Sequence, residues 1–73
     1  MSYTIVSQAA KVLGGVSYTN LIIDVTDSGI TLRSAKLLSP EDLTNRTVTS
    51  HADELASVVT NTRIAGLAEK MGQ

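Results

Sequence analysis

Acid–base or nucleophilic chemistry needs a base within reach of a nucleophile and a group that orients it. In this chain His51 is the only histidine, and cysteine is absent. His51 stands between Ser50 and Asp53, but that neighbourhood reads as the first turn of a helix, with Ser50 as its cap. A capping hydroxyl is occupied by backbone N–H groups and is not free to attack a substrate. Carboxylates pair at Glu41-Asp42 and Asp53-Glu54. General acid–base work wants two of them facing across a dry cleft with separated pKa values. Both pairs instead fall at helix starts, where acids oppose the positive end of the dipole. No catalytic residue is therefore assigned, and the chain is read as a non-enzyme.

Metals and phosphates fare no better. One histidine and no cysteine cannot furnish a structural zinc site. Asp24, Asp27 and Gly29 lack the alternate spacing and distal glutamate of a calcium loop, and turn chemistry accounts for all three. Gly14-Gly15 has neither the lysine nor the further glycines of a phosphate-binding loop. No metal or cofactor is expected. Arg33, Arg46 and Arg63 are kept as anion-binding candidates, should copies of the chain build a pocket between them.

Charge and composition narrow the partners. Six basic residues against seven acidic give a net charge of −1, and the only aromatics are Tyr3 and Tyr18. The basic residues are scattered, and no stacking platform is available, which argues against nucleic acid. The N-terminal Met1-Ser2-Tyr3-Thr4 lacks the basic start and apolar core of a signal peptide, and no apolar run reaches a membrane span. Asn45-Arg46-Thr47 matches a glycosylation sequon but has no secretory context. A cytoplasmic location with no membrane partner is the expectation.

The elements that must carry any function are few. Residues 1–73 make one small α+β domain. Ile5, Ala9, Val12 and Leu13 lie at i, i+4, i+7 and i+8, which predicts a helix over residues 4–13 stopped by Gly14-Gly15. The β-branched Thr4-Ile5-Val6 favours the rival, a strand from Tyr3 to Ser7. Leu21, Ile23 and Val25 alternate with their neighbours. With Asp27-Ser28-Gly29 as a three-residue loop and Ile30–Arg33 resuming the alternation, they predict a β-hairpin. Ser39-Pro40-Glu41-Asp42 predicts a one-turn helix, and Thr44–Thr49 a loop.

From Ser50 onward two apolar sets follow, Leu55, Val58, Val59 and then Ile64, Leu67, Met71. At 100° per residue they lie on opposite sides. Either the helix breaks at residues 60–63, or it is continuous and apolar on two sides. The absence of Gly or Pro before Gly66 favours the continuous form. The C-terminal helix is expected to pack across one sheet face, with the N-terminal helix, the hairpin and the short helix completing the fold.

Size then points to association. A chain this short hides only about 60% of its unfolded surface, and no disulfide or metal is available to compensate. Charged residues are 18% and apolar residues 42% of the chain. The expected function is a non-enzymatic protein-binding module, a small regulator, inhibitor or assembly component. Its partners would be itself, as a homo-oligomer with a dimer as the first case, and another protein. Ile64, Leu67 and Met71, with Ile22 on the hairpin, are the candidate interface. Two alternatives are carried. One is a DNA-binding regulator with a C-terminal helix-turn-helix whose recognition helix starts at Arg63. The other is an oligomer sequestering a small anion between subunits.

Overall fold

In a computed structural model, which describes residues 1–71 apart from the side chain of Met71, the chain begins with strands. Three antiparallel strands, β1 (Ser2–Leu13), β2 (Val16–Asp27) and β3 (Ile30–Leu38), form a meander in the order β1-β2-β3. Helices α1 (Pro40–Asn45) and α2 (Val48–Val59) follow. A single π turn, Thr60–Ile64, then leads into α3 (Ala65–Met71). The fold is α+β.

The expected N-terminal helix is corrected: residues 4–13 belong to β1. The positive φ angles of Gly14 (56°) and Gly15 (77°) do not stop a helix but close a two-residue hairpin turn in which Leu13 pairs with Val16. That turn matches the right-handed twist of its strands and requires φ > 0 at both positions. Pairing along the whole of β1 outweighs the weak helical preference of Gln8–Lys11. A bulge at Val6 explains why no strand alternation was visible. Tyr3 and Ile5 share the face of Val25 and Ile23, whereas beyond Val6 it is Gln8 that stands opposite Leu21. The extra residue therefore inverts the inward parity in mid-strand.

The second hairpin matches its expected strands, with a tighter loop. Asp27 pairs with Ile30, leaving Ser28 (φ 53°) and Gly29 (φ 75°) as a two-residue turn in place of three. At α1, the Asp42 N–H donates to Ser39 Oγ (3.1 Å) and the Ser39 N–H to Asp42 Oδ2 (2.9 Å), a reciprocal cap. The Ser39 backbone N–H first, and then the Ser39 side chain, hold the Asp42 carboxyl below its ordinary pKa. Helix α2 starts earlier than expected. Its cap is Thr47, whose Oγ1 accepts from the Ser50 N–H at 3.1 Å.

The helices cover one face of the sheet. Leu21, Ile23, Val25 and Leu38 meet Ala52, Ala56, Val59 and Ile64, and all eight are buried. Tyr3 fastens the layers through its hydroxyl, which donates to Asp53 Oδ1 and is held above the ordinary phenol pKa by that bond. The C-terminal segment is one continuous helix, as favoured, but it is not apolar on two sides. The Ala65 N–H reaches back five residues to the Thr60 carbonyl. One residue is thereby absorbed in the turn, and Ile64 returns to the face of Ala52, Ala56 and Val59.

Candidate functional site

The most exposed structural feature is an arm. Strand β3 pairs with β2 only as far as Thr19, whereas β1 and β2 continue to the Gly14-Gly15 turn. Every residue from Gln8 to Ser17 is exposed. The arm gives the molecule its length. The molecule measures 48 × 20 × 17 Å and has a radius of gyration of 13.8 Å, against about 11 Å for a compact domain of this size.

The tip of this arm is apolar. Val12, Leu13 and Val16 are 68, 44 and 41% exposed. Lys11, paired with Tyr18, is its one charged residue. The arm has no basic stripe with which to follow a phosphate backbone. Two strands with no helix beneath them are marginal in water on their own.

Below the arm, the face of the sheet turned away from the helices is open. Across it run Thr4–Asp24–Arg33 and Ser7–Ile22–Ala35, in register. Arg33 grips Asp24 with two bonds, Nε to Oδ1 at 2.9 Å and Nη2 to Oδ2 at 3.1 Å, and the carboxyl is held below its ordinary pKa by that contact.

The expected interface residues separate. Ile22 is half-buried on the open face. Ile64 is fully buried in the chain's own core. Leu67 is 40% exposed on α3. The side chain of Met71 lies outside the described residues. Ile64, Leu67 and Met71 thus do not form one outward stripe, because the π turn assigns Ile64 to the interior. The arm residues Val12, Leu13 and Val16 are the ones sequence reasoning missed. A helical reading of β1 hid them, although Gly-Gly between apolar residues is also a hairpin signal.

The three arginines are likewise apart. Arg33 is on the open face with Asp24. Arg46, between α1 and α2, has Nη1 2.6 Å from Glu54 Oε2, which holds that carboxyl below its ordinary pKa, and Nη2 3.2 Å from His51 Nδ1. Arg63 is exposed on the π turn. Two of the three candidate anion sites already hold a carboxylate. Between α2 and α3 there is no break at residues 60–63, so the two helices are not set at the angle that a helix-turn-helix needs.

His51 is buried, not a free base. Its Nε2 lies 2.9 Å from the Asp42 carbonyl. Among the described residues no cluster of potential metal ligands occurs, no pocket opens, and no helix is long and apolar enough to cross a membrane. Comparison with known proteins gives no match to a family model, a curated protein or a solved structure.

Proposed function

We propose that this chain is a non-enzymatic protein-binding module that acts as a homo-oligomer. The observation that carries the reading is the arm, with exposed Val12, Leu13 and Val16 at the end of a ribbon that β3 does not support. Apolar surface gathered on a projecting element favours a contact that removes it from water, at about 25 cal/mol per Å². The near absence of charge on the arm fits a protein surface better than a phosphate backbone or an anionic ligand. Neither alternative reading has a comparable observation behind it.

Light scattering on the purified protein over a range of concentrations tests the reading. A mass that rises to a multiple of the chain's own supports it, and so does its reduction in a Val12→Thr, Leu13→Thr, Val16→Thr variant. A folded single chain at every concentration, with no change on substituting the tip, removes it.

A further inference from the structure

The outer edge of the arm is the free edge of β1, which pairs on its other side with β2. We infer that β1 of one chain pairs antiparallel with β1 of a second copy, centred on Ala10, to give a continuous six-stranded sheet. This inference rests on the homo-oligomer reading above and names its surface.

Hydrogen-bonding parity selects the register. Leu13 and Val16 flank a two-residue turn and so form a hydrogen-bonded pair. Leu13, Lys11 and Ala9 therefore use their backbone groups on β2. Gln8, Ala10 and Val12 aim theirs outward, with no strand beyond them among the described residues. The bulge at Val6 ends the regular edge on one side and the turn ends it on the other. The midpoint of the regular stretch, Ser7–Leu13, is Ala10. A two-fold axis there, perpendicular to the sheet, sets Ala10 against Ala10 of the partner subunit and Gln8 against Val12 of the partner subunit. All outward-facing groups then meet outward-facing groups. The pairing forms roughly six backbone hydrogen bonds, within the range of a typical specific interface, about ten with a spread of five.

Charge and side chains agree with this register. Natural edge strands discourage pairing with charge or proline. The whole of β1 has no proline and one charge, Lys11, whereas the opposite edge, β3, has Arg33 and Lys36. With Ala10 on the axis, Lys11 stands opposite Ala9 of the partner subunit, and the two lysines are not directly paired. On the open face, Leu13 falls opposite Ser7 of the partner subunit, whose own neighbour is Ile22. Val16, Leu13 and Ile22 of the partner subunit then lie along one row across the joined sheet. Leu13 and Val16 of the tip thereby join Ile22 of the partner subunit on one face of the sheet, and each unsupported ribbon becomes part of a four-stranded section.

Because the chain has no cysteine, Ala10→Cys gives a single reporter on the axis. Directly paired strands place their Cα atoms about 5.5 Å apart, within disulfide reach. Ala10→Pro is the second variant. It removes only an outward N–H, so the fold stands while the edge is blocked. The expected result is a wild-type dimer by light scattering, near-complete cross-linking of Ala10→Cys under mild oxidation, and at least a tenfold weaker association of Ala10→Pro with an unchanged circular dichroism spectrum. Asn61→Cys, on the π turn, should stay uncross-linked. A wild-type dimer that Ala10→Pro leaves intact and Ala10→Cys does not cross-link overturns this pairing and leaves the homo-oligomer reading standing. A wild-type monomer at every concentration, with Ala10→Cys also uncross-linked, overturns both.

Discussion

His51 joins α2 to α1 through the Asp42 carbonyl oxygen, which lies 2.9 Å from its Nε2. Arg46 Nη2, which can only donate, lies 3.2 Å from Nδ1. The proton of the neutral ring is thus on Nε2, and the ring donates to Asp42 and accepts from Arg46. The same carbonyl also accepts the Arg46 N–H at 3.1 Å. A residue that resembles a catalytic base in the sequence is a buried clamp between two short helices.

Replacing that clamp should be expensive for stability. His51→Ala removes a buried ring and two hydrogen bonds, and is expected to destabilise by about 2–3 kcal/mol. Urea unfolding followed by circular dichroism measures it. A loss below about 0.5 kcal/mol would mean that water takes over both bonds without penalty.

Stability should also fall in acid. Asp42, Glu54 and Asp24 all have pKa values lowered by native partners, respectively Ser39, Arg46 and Arg33. A carboxyl depressed in the folded state binds its proton more readily when unfolded. Its contribution is therefore fully present above the unfolded value, about 4, and is lost as pH falls through the folded one. The thermal midpoint should be level from neutral pH to about 5 and drop below about 4. Asp42→Asn should flatten that drop. An identical acid profile in the variant would show that the cap carboxylate is not linked to folding.

The hairpin turns make opposite predictions. Ser28 holds φ 53° in a turn that prefers Asn-Gly, so Ser28→Asn should stabilise by about 0.5 kcal/mol. Gly15 at φ 77° has open space around it, so Gly15→Ala suffers only backbone strain, about 1 kcal/mol. Equal thermal midpoints for the two variants would contradict the turn assignment.

How much of this was legible depends on whether one periodicity held across an element. Leu21, Ile23 and Val25 keep strict alternation because β2 is central and its inner face is fully covered. Ser39-Pro40 announces α1 by local chemistry alone. In β1 neither condition holds. Val6 inverts the parity, and Gln8–Leu13 are exposed on both faces, so burial imprints no pattern there. Ile5, Ala9, Val12 and Leu13 then match helical spacing by accident. The candidate site suffered with it, since the arm was not recognised as strands. Ile22 was visible because it alternates with core residues of the same strand. The place of Ile64 was not, because a constant 100° per residue cannot represent a π turn.

That last point can be tested by deletion. Ala52, Ala56 and Val59 are spaced by four and three residues, which is one face of an α-helix; Ile64 follows Val59 by five and is buried with them. The π turn therefore acts as one inserted residue. Removing the exposed Asn61 brings Ile64 to a spacing of four from Val59, which an ordinary α-helix presents on the same face. The deletion should leave stability within about 1 kcal/mol of the parent, with helical content retained. Deleting Ser57 instead removes a residue from the regular turns of α2. It swings Val59 and Ile64 about 100° away from the sheet, and should unfold the chain. Thermal melts of the two deletions decide the matter. Equal damage from both would show that the π turn is not a separable insertion but a fixed part of the packing.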